Sequence, residues 1–185
     1  MKKTIKKVFV STAAVAMVMS TMATGAFANT TTGETSITGA ENVALTVPTS
    51  VNFDVELDGK IQHVTTSLDP LTVVDARGTG LGWSIKLTSD KLKNDSRTLD
   101  KSSLRLINAP TINALHGSSS TNVDSGAGDL TGLGVTVASA PADFGMGTFE
   151  FAFGESLQLT LHPDETYAES YTTTLNWEIL DAPIN

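Results

Sequence analysis

The chain has 185 residues, no cysteine, twelve Lys and Arg against twenty Asp and Glu, and a formal net charge of −8. That acidic balance excludes the basic stripe that grips nucleic acid and the polybasic patch that holds a protein to anionic lipid. The missing thiols exclude disulfide staples, cysteine nucleophiles and cysteine-based metal sites, so stability has to come from a packed core.

Residues 1–28 read as a cleaved secretory signal peptide. Lys2, Lys3, Lys6 and Lys7 form its positive region, a mostly apolar run follows, and Ala26, Phe27 and Ala28 make a small-x-small cleavage site. This segment holds four of the basic residues and none of the acids, so the remaining 157 residues carry eight against twenty, a net of −12. They are expected outside the cytoplasm, as one domain able to bury about 70% of its unfolded surface. Residues 29–36 form a flexible threonine-rich lead-in, and residues 37–185 the domain.

Val43, Leu45 and Val47 alternate with polar or small residues up to Pro48. Residues 51–57 alternate without a fault, with Val51, Phe53, Val55 and Leu57 on one face and Asn52, Asp54 and Glu56 on the other. Asp58-Gly59 supplies a type I′ turn, and Ile61 and Val64 a returning strand, which predicts a hairpin. Leu71 to Val74 leads into Asp75, Arg77, Gly78, Gly80, Gly82 and Trp83, where the glycines permit a bend before a strand that puts Trp83, Ile85 and Leu87 on one face. Residues 90–100 are polar and read as a solvated loop. A short strand follows around Leu104 and Leu106, stopped by Pro110.

Residues 116–134 are rich in Gly, Ser, Asn and Asp, and so long an irregular segment is usually functional or disordered. Leu133, Val135 and Val137 mark a further strand. Phe149, Phe151 and Phe153 share one face, as do Leu157, Leu159 and Leu161, and pairing across the turn between them predicts an apolar slab. The last strand places Tyr171, Thr173, Leu175, Trp177 and Ile179 on one face and Thr172, Thr174, Asn176 and Glu178 on the other, ended by Asp181 and Pro183. No window carries helical periodicity. The prediction is therefore an all-β, single-domain sandwich of two sheets, of Ig-like, Greek-key type, with long Gly/Ser-rich loops.

The two tryptophan-bearing stretches together resemble the WxL domain, a surface module of Gram-positive bacteria that holds to the cell wall without a covalent anchor. The proximal signature is the Asp-x-Arg-Gly-x-Gly-x-Gly-Trp run from Asp75 to Trp83. The distal one is the Tyr-x-x-x-Leu-x-Trp spacing of Tyr171, Leu175 and Trp177, closed by Asp-Ala-Pro at Pro183. Both read Trp-x-Ile, at Ile85 and Ile179, where the family's name has leucine; the swap keeps volume and apolarity. The resemblance implies wall binding through Asp75, Arg77, Gly78, Trp83, Ile85, Tyr171, Leu175, Trp177, Ile179 and Pro183. It also implies peptidoglycan or another wall polymer as partner, with a membrane-anchored WxL-interacting protein as a second candidate. The acidic charge modestly favours the second, because a protein groove can offer positive charge where the wall cannot, with a strand edge or an apolar rim around Trp83 and Trp177 as the contact.

No motif-borne catalytic constellation is present: His63, His116 and His162 are scattered, and neither a Gly-x-Ser-x-Gly elbow nor a His-Glu-x-x-His occurs; a glycosidase's pair of carboxylates stays open, because acids are plentiful and their spatial pairing is not written in the sequence. The expectation is a non-catalytic protein without cofactor or metal, with no nucleic-acid partner and no membrane insertion. With Ile184 and Asn185 following Pro183, the expectation is a protein without a sorting signal or hydrophobic tail to fasten it. Asp54, Glu56 and Asp58 could hold a hard cation or simply form a solvated edge that discourages aggregation. Asp75 and Arg77 could brace the glycine bend, or Arg77 could reach a ligand carboxylate. Each tryptophan is either a core residue or a rim platform for a sugar or an apolar side chain.

Overall fold

Alternating side chains become a ladder only where a neighbouring backbone is free to pair, and that condition shapes the architecture of this chain. The computed structural model describes residues 35–181. The expected signal peptide, residues 29–34 of the lead-in and Pro183 lie outside them. One compact unit spans Ile37–Asn185; the other, Met1–Ser36, falls almost wholly outside the described residues.

Among the described residues twelve strands form: β1 (Ala44–Thr46), β2 (Gln62–Leu68), β3 (Leu71–Asp75), β4 (Trp83–Ser89), β5 (Ser103–Leu106), β6 (Thr111–Leu115), β7 (Asp124–Ser125), β8 (Gly128–Asp129), β9 (Val135–Ala140), β10 (Gly147–Ala152), β11 (Gly154–Leu161) and β12 (Leu175–Leu180). Among the described residues there is no helix. The strands are distributed over three antiparallel ladders, in the orders β1-β3-β10-β6, β2-β11-β5-β8 and β12-β4-β9-β7. The all-β sandwich expected from the sequence forms, built on three ladders rather than two. None closes into a barrel. All three feed one core: Leu71, Val73, Phe149 and Phe151 from the first, Leu104, Leu106 and Leu157 from the second, and Trp83, Ile85 and Leu87 from the third are fully buried.

The expected hairpin does not form. β2 pairs with β11, matching Val64 to Leu159 and Gln62 to Leu161, while residues 51–57 stay outside every ladder. Their side chains keep the alternation, with Val51, Phe53 and Val55 half-buried and Asn52, Asp54 and Glu56 exposed. At the turn only Gly59 has a positive φ, of 80°, whereas a type I′ turn needs both central residues there. Asp58 instead accepts a hydrogen bond from the Lys60 amide at 3.0 Å.

The phenylalanine and leucine runs are likewise not partners in one ladder. β10 lies between β3 and β6, β11 between β2 and β5. Gly154, at φ 57°, lets the chain leave one ladder for another, so both runs enter the common core from different sheets. Periodicity states which face is buried and is silent on the partner.

Two loops are more organised than their composition suggests. Residues 116–134 contain β7, which pairs with β9, and β8, which pairs with β5; Val123 and Leu130 anchor the segment in the core. It is ordered and links two ladders. Residues 90–100 bury Leu92 and Leu99, and Lys93 bridges to both Thr98 and Thr172. β6, which carries little apolar alternation, was not legible in the sequence.

Candidate functional site

The two signatures are brought side by side. β4 and β12 are hydrogen-bonded antiparallel neighbours, matching Ile85 to Ile179 and Leu87 to Trp177. The two isoleucines that stand in the family's leucine positions are thus direct cross-strand partners. The ladder begins at Leu175; ahead of it, Thr172 exchanges backbone hydrogen bonds with Lys93, and Tyr171 uses its hydroxyl to accept from the Tyr167 amide at 3.2 Å.

Arg77 forms a buried ion pair with Asp75 inside the proximal signature and reaches across to the largely exposed Asp181 at the end of the distal one. Asp75 ends β3 and Arg77 follows it into the glycine bend. The guanidinium engages the carboxylate at both ends, Nε to Oδ1 at 3.0 Å and Nη2 to Oδ2 at 2.9 Å, and the Arg77 amide adds a third bond at 3.1 Å. Nη2 also donates to the Gly82 carbonyl at 2.8 Å, and Nη1 reaches the Asp181 carboxylate at 3.3 Å, just past the end of β12. Burial alone would push the Asp75 carboxyl up, but the side-chain and backbone hydrogen bonds from Arg77, together with its charge, hold it below the usual range. Hydrogen bonding to Asp75 raises Arg77 further, against the cost of burial. With 3% of its side chain exposed, Arg77 braces the bend and has no free fork for a ligand.

The glycines serve close approach as much as turning. A Cβ at Gly82, where φ is +73°, would sit 2.4 Å from the Ala140 carbonyl. One at Gly145 would meet Trp83 Nε1 at 2.8 Å and the Ala140 methyl at 2.2 Å. Gly78 also has a positive φ, of +67°, but faces open space.

The tryptophans differ in kind. Trp83 is fully buried, donates from Nε1 to the Gly145 carbonyl at 2.9 Å and packs on Phe149 and Phe151 with ring centroids 6.0 and 6.1 Å away. It is a core residue and cannot serve as a rim contact. Trp177 lies on β12, the edge strand of its ladder. It is half-buried and meets Phe153 edge-on at 5.9 Å. Ile85 is buried; Tyr171, Leu175 and Ile179 are half-buried with Trp177.

Among the described residues no group of three or more His, Asp or Glu is placed to hold a metal ion; Asp54, Glu56 and Asp58 are exposed and lie outside every ladder. Sequence reasoning missed Asp181 as a second carboxylate for Arg77 and Gly145 as the acceptor for Trp83. It also missed Glu165, whose carboxylate accepts from the amides of Asp100, Lys101 and Ser102 and from the Ser102 hydroxyl. Burial would raise Glu165, and these hydrogen bonds lower it below its ordinary value. No local pattern announces such contacts, because each joins residues more than sixty positions apart.

The chain is thus an all-β sandwich in which the two tryptophan strands are adjacent and Arg77 reaches past the end of the distal one. The sequence profile of the WxL domain, described as surface cell wall-binding, matches residues 54–183. The chain belongs to the WxL family, and attachment to the cell wall at the cell surface follows from that membership. No curated protein and no solved structure matches the chain.

Proposed function

We propose that this protein is exported and grips peptidoglycan directly and non-covalently, without catalysing a reaction on it. The observation that carries the reading is the pairing of the two tryptophan strands, β4 and β12, with Arg77 reaching Asp181 past the end of β12. Because Trp83, Ile85 and Arg77 are consumed in holding that unit together, the signatures act as scaffold and the wall is met by groups on the surface. With a net charge of −12 after removal of the leader, contact with an anionic wall is short-range, within a screening length of about 8 Å at physiological salt.

Purified residues 29–185 are expected to sediment with isolated wall sacculi. Folded protein left in the supernatant at moderate salt would overturn direct binding. Dye-labelled sacculi are expected to release no dye on incubation; release would overturn the non-catalytic reading.

A second reading, docking on a membrane-anchored partner that itself grips peptidoglycan, draws support from residues 51–57. This extended segment makes no backbone–backbone hydrogen bond with another described residue, and its exposed Asp54 and Glu56 suit a basic strand added alongside. Loss of retention in cells lacking such a partner, with sacculus binding absent, would favour it.

A further inference from the structure

We infer that the exposed face of Tyr167, backed on its other face by Arg97, is a contact site for a pyranose ring of the wall's N-acetylhexosamine chain. The inference rests on the direct-binding reading and adds where the glycan is met. Tyr167 is 56% exposed, although the Arg97 guanidinium covers one face of its ring at 3.7 Å from the centroid. The exposure therefore belongs to the opposite face and the rim. Guanidinium stacking fixes the ring's attitude in advance, which lowers the ordering cost of binding.

The rim is polar and only partly satisfied. Arg97 Nε is buried without a hydrogen-bond partner, 3.5 Å from a Glu169 oxygen. Glu169 Oε2 already accepts from the Asn94 amide at 2.8 Å. Arg97 Nη1 and Nη2, the Tyr167 hydroxyl and Glu169 Oε1 have no hydrogen bond to another described residue. With the Arg97 guanidinium behind it on the covered face, the exposed face of Tyr167 is an apolar plate edged by its own hydroxyl, which matches a pyranose, whose C–H face is apolar and whose edge carries hydroxyls and an acetamide. A protein contact would need a wider apolar centre, and the neighbours here are polar.

The cluster sits on a rigid base. Asn94 Oδ1 accepts from the amides of Ser96 and Arg97 at 2.9 and 3.0 Å, Leu92 and Leu99 of the same segment are buried, and Lys93 and Thr172 clamp the two loops through paired backbone bonds.

The test is binding to purified peptidoglycan stripped of other polymers. Tyr167→Ala should weaken binding about tenfold, as truncation of an aromatic anchor does, while Tyr167→Phe stays within about threefold. Soluble N-acetylglucosamine tetrasaccharide should compete with the wild type. If the wild type itself fails to sediment, the direct-binding reading falls and this site with it. If the wild type sediments and Tyr167→Ala binds equally well, or the tetrasaccharide does not compete, the site alone is overturned. Should Tyr167→Ala unfold, wild-type NMR decides: the Tyr167 ring signals should shift with the tetrasaccharide. Unmoved Tyr167 signals would overturn the site.

Discussion

Arg77 shows how much one side chain can be asked to hold. It satisfies a buried carboxylate, a glycine carbonyl and the end of β12 at once. Removing it leaves Asp75 charged and buried, so Arg77→Ala should destabilise by about 3–5 kcal/mol in chemical denaturation. Acid tests the same pair. The Asp75 pKa is lowered in the folded state, so its contribution is fully present above the ordinary aspartate value of about 3.9 and is lost as pH falls through the lower folded value. The denaturation midpoint should therefore drop on acidification below about pH 4. Glu165 is shifted in the same direction, and the slope lost in an Asp75→Asn, Arg77→Met double variant isolates the Asp75 share. The tryptophans give a third check at this scale. An aqueous quencher should reach Trp177 and not Trp83, leaving a blue-shifted, protected emission in Trp177→Phe. Equal quenching of both would contradict the burial of Trp83.

At the scale of elements, the glycine bend and β4 are adjusted to each other. Gly145→Ala drives a Cβ into Trp83 and Ala140, whereas at Gly78 the space is open and only the left-handed backbone resists, at about 1–2 kcal/mol. Thermal melting should rank Gly145→Ala well below Gly78→Ala. The Ile85–Ile179 pair is more tolerant: Ile179→Leu, half-buried on an edge strand, should cost less than Ile85→Leu in the core, both under about 1.5 kcal/mol. The prediction of one alternating strand around each tryptophan was legible because alternation is local. Their different burial was not, since β4 lies inside its ladder and β12 at the edge, and that is a matter of neighbours.

For the whole molecule, charge and core point the same way. An acidic chain attached to an acidic wall depends on contacts that hold inside the screening length, so raising salt from about 0.15 to 1 M, which shortens that length from about 8 to 3 Å, should leave sacculus binding largely intact. A steep loss with salt would instead indicate long-range attraction to cations such as those of residues 91–105. The fold has the resources for such a role without cross-links, because three ladders supply one continuous core.

By itself the sequence determined most of the longer strands and the face each buries, the absence of helical periodicity and the kinship of the two tryptophan signatures, all of which are written in period-two patterns and short motifs; β6, β7 and β8 carry little of that pattern, and residues 51–57 carry it without forming a strand. Which strands pair was decided only by the tertiary structure: β2 with β11 in place of a local hairpin, the phenylalanine and leucine runs divided between ladders, residues 51–57 left unpaired. So was the fate of the signature residues, Trp83 and Arg77 inward and Tyr167, outside both motifs, outward. A side chain's periodicity depends on its own chain neighbours, whereas its exposure and its partners depend on what the rest of the chain brings against it.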